Sequence, residues 1–89
     1  MPLNAVFEAL AHPARRKILR LLRAGPMSAG DIAARFSLSK PTISAHFNKL
    51  KEAELVAVER QGTSLIYHLN TSVLEEALSG LLNLREHDQ

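Results

Sequence analysis

Apolar positions in the middle of the chain repeat with the period of two consecutive helices. Ile43, Phe47 and Leu50 recur at i, i+4 and i+7, which places them on one stripe of a helix. A shorter apolar pattern follows Ser28, which can cap a helix N-terminus by accepting a backbone hydrogen bond. Residues 28–53 are therefore predicted to form two helices joined by a tight turn, a helix-turn-helix.

The turn of this motif is predicted at residues 37–39. Ser39 can cap the second helix, and Pro41 is tolerated in its first turn because the N–H that proline lacks would be unpaired there. Ser37 stands where such turns often carry glycine in a left-handed conformation. We therefore expect a small backbone strain at Ser37.

Two further helices are predicted before this motif and a β-hairpin after it. The helices cover residues 4–11 and 13–24 and are separated at His12, which precedes a proline suited to a first helical position. The hairpin covers residues 55–69, where β-branched and apolar runs flank a turn at 60–64. A hairpin directly after the second helix of a helix-turn-helix is a wing.

The last predicted helix, residues 71–86, begins with a capping box formed by Ser72 and Glu75. Its apolar residues cover more than one stripe of the helix: Val73, Leu74, Ala77, Leu78, Leu81, Leu82 and Leu84. In so small a domain we expect this face to meet a partner, and residues 3–11 to form the other half of a homodimer interface. The fold class is thus mainly α with a small β-hairpin, in the order α-α-α-α-β-β-α.

The length and composition predict one domain, residues 1–89, with a core that dimerisation would help to stabilise. The chain has no cysteine, so disulfides, thiolate metal sites and thiol switches are excluded. Its longest apolar runs are too short to cross a membrane, so we expect no membrane insertion and a cytoplasmic location.

Charge is unevenly distributed along the chain, although the net charge is only +2. Residues 12–51 carry a net charge of +8, and residues 52–89 carry −5. The basic part coincides with the helix-turn-helix and the helix before it. This distribution predicts binding to a polyanion, and together with the motif it predicts double-stranded DNA as the partner.

The second helix of the motif and the wing supply the candidate DNA contacts. These residues are Lys40, Thr42, Ser44, Ala45, His46, Lys49, Arg60, Gln61 and Thr63. The lysines, with Lys51, suit phosphates, whereas the short hydroxyl side chains can reach base edges or phosphates. His46 falls near the inner edge of the helix, where we expect it to support the fold or a backbone contact rather than read a base.

The element order and three sequence motifs resemble the ArsR family of winged helix-turn-helix repressors. The motifs are ALAHPARRKILRLL near the start, DIAARFSLSKPTISAHFNKLKEAELV in the middle and ERQGTSLIYHLN in the wing. The lack of metal ligands and the short C-terminus are most similar to the SdpR-type autorepressor branch. This resemblance implies a dimer through the first and last helices, an inverted-repeat operator, and contacts from residues 40–46 and near Arg60. Relatives often carry histidine at the position of Ala45, which allows only an apolar contact such as a thymine methyl.

No cofactor, metal site or catalytic site is predicted. The zinc-type site of relatives resembles Asp-x-His near the start of the last helix and His with Glu or His near its end. Here the start has no histidine, and only residues 86–88 remain at the end, too few ligands for zinc. Phosphate-binding loops and nucleophile motifs are also absent, so an enzyme is not expected.

Two alternatives to a metal-independent repressor stay open from the sequence. One is a winged-helix module that holds another protein through its apolar last helix. The other is a metal-responsive repressor with a non-standard site. In a repressor without a metal site, a protein anti-repressor is one way in which repression would be relieved.

Overall fold

The computed structural model describes residues 3–86, which form five helices and three strands. The helices are α1 (Leu3–Leu10), α2 (Pro13–Leu22), α3 (Ala29–Ala33), α4 (Lys40–Glu52) and α5 (Thr71–Glu86). The strands are β1 (Met27–Ser28), β2 (Val56–Gln61) and β3 (Ser64–Leu69). This order confirms the winged helix-turn-helix fold, with one strand that the sequence pattern did not predict. The second helix also ends two residues before the predicted boundary, which is ordinary fraying at a helix end.

The sheet is antiparallel, in the order β1-β3-β2. The additional strand β1 pairs Met27 with Tyr67 and Ser28 with Ile66. Two residues are too few to show an alternating pattern, so β1 had no signal in the sequence. It ties the start of the helix-turn-helix to the wing.

The wing has longer strands and a tighter turn than predicted. Arg60 pairs with Leu65 and Gln61 with Ser64, so Arg60 and Gln61 lie in β2 and not in the turn. The loop consists of Gly62 and Thr63, and Gly62 has a φ of +62°. A positive φ at the first of two loop residues is typical of a type II′ turn, which matches the twist of the strands.

Serine side chains cap the N-termini of both helices of the motif, as predicted. The Ser28 hydroxyl accepts a hydrogen bond from the Asp31 N–H at 3.0 Å, and the Ser39 hydroxyl accepts one from the Thr42 N–H at 3.4 Å. The predicted box at the start of α5 is wrong. The helix begins at Thr71, as predicted, so Ser72 lies inside it and cannot be its cap, and the Ser72 hydroxyl donates to Asn70 Oδ1 at 2.8 Å.

The end of α4 carries the backbone strain that was expected at Ser37. Among the described residues, Glu54 is the one non-glycine residue with a positive φ, +60°. The Glu54 N–H donates to the Lys51 carbonyl at 3.0 Å, and the Leu55 N–H donates to the Leu50 carbonyl at 3.1 Å. This pair of bonds is a Schellman motif, in which glycine usually occupies the left-handed position.

The core joins the recognition motif to the sheet. Its largest fully buried side chains are Val6, Ile18, Ile32, Leu50 and Leu55. Phe47 stacks on Tyr67, with ring centroids 4.5 Å apart and an interplanar angle of 22°. Because α4 and the wing share this contact, their relative position is set by packing.

Helix α5 packs on the domain only through its first half. Val73 and Ala77 are buried, whereas Leu78, Leu81, Leu82 and Leu84 are exposed. The molecule measures 51 × 23 × 20 Å along its principal axes, which is elongated for a domain of this size. Within residues 3–86, no helix is long and apolar enough to cross a membrane.

Candidate DNA-binding surface

Helix α4 buries one stripe and exposes the rest. Ile43, Phe47 and Leu50 are buried, as the periodicity predicted. The exposed residues of this helix are Lys40, Pro41, Thr42, Ser44, Ala45, Asn48, Lys51 and Glu52. Most of them are small, polar or cationic, which is the composition of a helix that approaches base edges and phosphates.

The two hydroxyl residues predicted to contact DNA lie on different flanks of α4. Successive residues are separated by about 100° around a helix, so Thr42 and Ser44 point about 160° apart. Thr42 Oγ1 accepts a hydrogen bond from the Ser39 hydroxyl at 2.8 Å and so belongs to the helix cap. Ser44 is exposed and has no hydrogen-bond partner within residues 3–86. The Ser44 hydroxyl is therefore available to hydrogen-bond to a base, whereas the Thr42 hydroxyl is already engaged in the cap.

Asn48 is a candidate that the predicted site did not include. It is exposed and follows Ser44 by one helical turn, so the two side chains lie on the same face. An asparagine amide can form two hydrogen bonds with adenine in the major groove. The signal in the sequence was the i, i+4 spacing from Ser44.

His46 does not belong to the exposed surface, which corrects its place among the DNA contacts. Its side chain is only 7% exposed. Arg15 Nη1 lies 3.2 Å from His46 Nδ1, and the His12 ring stacks at an angle 4.4 Å away. Because a guanidinium only donates, Nδ1 is the acceptor and the imidazole is neutral. Burial first, then His12 and Arg15, lower the pKa of His46.

Several cations of the basic segment bind backbone carbonyls. Arg15 donates to the carbonyls of Glu8 and Ala9, each at 2.9 Å, and Arg16 donates to the Leu10 carbonyl at 2.6 Å. These carbonyls are at the C-terminal end of α1, where positive charge is favourable. These two arginines therefore stabilise the packing of α2 against α1 and are not free for DNA.

Lys17 is also engaged within the protein. Its ammonium donates to the Arg35 carbonyl at 2.7 Å and lies 4.5 Å from the centroid of the Phe36 ring. It thus holds the turn after α3 against α2. Apart from Lys49, the remaining cations of the segment are exposed, and their side chains form no hydrogen bond or ion pair within residues 3–86: Arg20, Arg23, Arg35, Lys40 and Lys51.

Lys49 forms an ion pair with Glu8 of α1, at 3.1 Å. The side chains are 43% and 61% exposed, so the pair is solvated and contributes about 0–1 kcal/mol. Lys49 can exchange this partner for a phosphate at little cost. It remains a candidate for a backbone contact at the edge of α4.

The wing presents all three of its predicted contact residues to solvent. Arg60 and Gln61 are exposed at the end of β2, and Thr63 is exposed in the turn. They lie at the end of the hairpin, where Gly62 and Thr63 form the two-residue loop. They are suited to phosphates or to a minor groove beside the one that α4 enters.

A groove of about 410 Å³ separates α4 from α3 and β3. Its floor includes the stacked rings of Phe47 and Tyr67, and Ser44 and Asn48 line its α4 side. Burial raises the pKa of the Tyr67 hydroxyl, so this group stays protonated near neutral pH. Within residues 3–86 no three His, Cys, Asp or Glu side chains are placed to hold a metal ion. His87 and Asp88, considered above as remnants of a zinc site, lie outside the described residues.

The chain is similar to known repressors over most of its length. A family model described as a helix-turn-helix domain matches residues 10–59. The transcriptional repressor SdpR of Bacillus subtilis (strain 168) is 51% identical over 81 residues, which cover 91% of this chain and 90% of that protein. The arsenical resistance operon repressor of Staphylococcus xylosus is 33% identical over 87 residues, covering 98% of this chain and 84% of that protein.

The fold is likewise similar to a solved structure. The crystal structure of an ArsR family transcriptional regulator matches with a TM-score of 0.88 at 26% identity, covering 94% of this chain and 92% of that one. Sequence, fold and surface thus agree, and they confirm the resemblance found from the three motifs. The chain belongs to the ArsR family of winged helix-turn-helix transcriptional repressors, which are DNA-binding regulators and not enzymes.

Proposed function

We propose that this chain is a homodimeric repressor that binds an inverted-repeat operator through α4 and the wing, without a metal ligand. The observation that carries the proposal is the exposed face of α4. There Ser44 and Asn48 lie between Lys40 and Lys51 in the sequence of the helix, and Arg60 is exposed on the wing. Acting on DNA, such a regulator would work in the cytoplasm and block access of polymerase to its promoter.

Each exposed residue of this surface has a physical role in the proposal. Ser44 and Asn48 hydrogen-bond to base edges in the major groove, and Ala45 contacts a thymine methyl. Lys40 and Lys51 bind phosphates as flexible point charges, and Lys49 joins them on leaving Glu8. Thr42 supports the cap that positions the first turn of α4, whose free N–H groups also attract a phosphate.

The wing contributes contacts that fix the orientation of the protein on the duplex. Arg60 binds the phosphate backbone or reaches into the minor groove, with Gln61 and Thr63 beside it at the tip. These contacts raise affinity for all sequences alike, whereas α4 discriminates between sequences.

The exposed leucines in the second half of α5 support the proposal that the chain dimerises through α1 and α5. Leu78, Leu81, Leu82 and Leu84 form an exposed apolar face that a second copy would cover. A twofold axis through this interface sets two α4 helices to read symmetric half-sites. Such half-sites are separated by about 34–36 Å, one turn of the duplex.

In the proposal the repressor acts without a metal ion, which is consistent with the finding that residues 3–86 hold no cluster of three potential ligands. A signal other than a metal ion would then relieve repression, and a protein anti-repressor that binds the dimer is one candidate.

Footprinting on the DNA upstream of the gene for this chain tests the proposal. We expect two protected patches related by an inverted repeat and spaced by one helical turn. The pattern should be the same with added zinc and with a chelator. A single patch, or protection that zinc abolishes, would contradict the symmetric dimer or its independence from metal.

A protein-interaction module is the second candidate, because the exposed leucines of α5 would also suit a partner protein. The two functions differ in their response to salt. DNA binding weakens steeply as salt rises, because each neutralised phosphate releases a counterion, whereas an apolar interface changes little. Affinity for DNA that is weak and the same for all sequences would favour the interaction module.

A further inference from the structure

The groove beside α4 has the shape of a small-molecule site. Its floor is formed by Ile43, Phe47 and Tyr67, each less than 7% exposed. The wall on α3 consists of small residues, including Gly30 and Ala33, which leave the floor uncovered. The volume of about 410 Å³ falls within the range of about 300–1,000 Å³ typical of ligand pockets.

The rim of this groove is cationic. Lys40, Ser44, Asn48 and Lys51 line it from the α4 side, and no carboxylate lies among its lining residues in the described part of the chain. The two lysines are eleven positions apart, which corresponds to about 16 Å along a helix. An apolar floor therefore runs between two ammonium groups.

Tyr67 is the polar member among the residues that form the floor. Tyr67 is 2% exposed, and its hydroxyl makes no hydrogen bond within residues 3–86. Every fully buried side-chain nitrogen or oxygen atom among those residues has a partner, so this hydroxyl keeps some accessible surface. The hydroxyl is therefore free to hydrogen-bond to water or to a molecule bound beside it.

We propose that this groove binds an amphiphilic carboxylate, with its apolar chain on the floor and its carboxylate on Lys40 or Lys51. A ligand there covers the side of α4 that carries Ser44 and Asn48, so it competes with DNA. This regulatory consequence rests on the proposed function, whereas the binding of the ligand does not. An apolar floor between two ammonium groups is complementary to a small molecule that joins an apolar chain to a carboxylate, which favours such a ligand as the occupant.

Fluorescence of Tyr67 provides a direct readout, because the chain has one tyrosine and no tryptophan. Decanoate, decanol and decyltrimethylammonium are titrated below their aggregation limits in the absence of DNA. We expect a saturable change with decanoate at a Kd at least tenfold lower than with the other two. Equal responses to all three would show non-specific apolar adsorption and overturn the proposal.

Charge variants locate the carboxylate. Replacing both rim lysines (Lys40→Ala with Lys51→Ala) should weaken decanoate binding about tenfold or more. Arg20→Ala and Arg23→Ala together remove the same charge at the C-terminal end of α2, where neither residue lines the groove, and should leave the affinity unchanged. Equal effects of the two pairs would assign the binding to net charge and contradict a site in the groove.

A filled groove provides the second test. Gly30 lines the groove, and a Cβ atom there would meet no side chain or other element within 4 Å, so we expect Gly30→Leu to extend its side chain over the groove. We expect this variant to keep its melting temperature and lose decanoate binding. Ala57→Leu adds similar bulk on β2, in register with His68 and not with Tyr67, and should bind normally. Normal binding by the folded Gly30→Leu protein would overturn the proposal.

Competition with DNA tests the regulatory consequence separately. Decanoate should raise the Kd for the upstream DNA in proportion to its occupancy of the groove. Decanoate that binds the groove but leaves this Kd unchanged would overturn the competition. Absence of DNA binding without any ligand would instead contradict the proposed function, while the fluorescence titration would still decide the ligand site.

Discussion

The side chains of α4 divide by what they contact. Ile43, Phe47 and Leu50 are buried in the core, and their spacing alone predicted this. His46 also faces inward, but its contacts come from Arg15, which is distant in the sequence. A periodic pattern identifies the buried stripe, whereas the partner of a polar residue at its edge depends on the tertiary fold.

Replacing Ser44 by alanine tests base reading by a single residue. We expect the affinity for the operator to fall by about 1 kcal/mol, or about fivefold, because one neutral hydrogen bond is lost. Affinity for unrelated DNA should stay the same. The measurement is a pair of titrations with specific and scrambled duplexes, and Ser79→Ala on α5 is the matched control. An equal loss on both duplexes would place Ser44 at a phosphate.

The stability of the fold should depend on pH through His46. Its folded pKa is lowered, so the unfolded chain takes up a proton at higher pH than the folded one. The contribution to stability is therefore complete above the unfolded pKa of 6.5 and is lost progressively as pH falls below it. Urea unfolding between pH 5 and pH 7.5 measures this loss.

The variant His46→Gln isolates this effect from that of the other histidines. A glutamine oxygen can still accept a hydrogen bond from Arg15, but it does not titrate. We expect the free energy of unfolding of this variant to change less with pH than that of the wild type. The same pH dependence in both proteins would show that His46 stays neutral, or is equally accessible, in both states.

At the scale of the elements, local sequence signals predicted the helices and the hairpin. The remaining strand, β1, depends on tertiary pairing with β3. The caps at Ser28 and Ser39 were visible as residue types at helix starts. Strand β1 was not, because its two residues are strand only through their pairing with Tyr67 and Ile66. The capping box predicted at Ser72 does not form, because the Ser72 hydroxyl hydrogen-bonds to Asn70 instead.

Helix α4 ends in a motif that its sequence does not favour. Glu54 adopts a left-handed conformation that costs a non-glycine residue about 1–2 kcal/mol. Glycine avoids this cost but loses more chain entropy on folding. Glu54→Gly should therefore stabilise the protein by about 0.5–1 kcal/mol, measured by urea unfolding. Glu52→Gly, at the last residue of α4, is the control: it has no left-handed conformation to relieve, so it should destabilise the protein by up to about 1 kcal/mol. Destabilisation by both would contradict the left-handed conformation.

At the scale of the molecule, charge and apolar surface are separated. The cations cluster on α2 and α4, and the exposed leucines cluster at the end of α5. The sequence predicted this separation, but it overstated the charge available for DNA. Arg15, Arg16 and Lys17 contact carbonyls of other elements, which no count of residues reveals.

The proposed dimer should dissociate when its apolar face is charged. Leu81→Glu places a carboxylate on each side of the twofold interface and removes the burial of a leucine, worth about 1.5–3 kcal/mol per chain. We expect the dimer Kd to rise by a hundredfold or more, seen by sedimentation as a species of 9.8 kDa. Asn83→Glu adds the same charge on the polar side of α5 and should leave the dimer intact. A dimer that survives Leu81→Glu would place the interface elsewhere.

The most direct test of sequence-specific repression by this surface is the ratio of two affinities. The full chain is titrated onto the DNA upstream of its own gene and onto a scrambled duplex of equal length, at two salt concentrations. We predict a preference of about a thousandfold or more for its own DNA, with both affinities falling steeply as salt rises. Equal, weak binding to both duplexes would contradict an operator at its own gene.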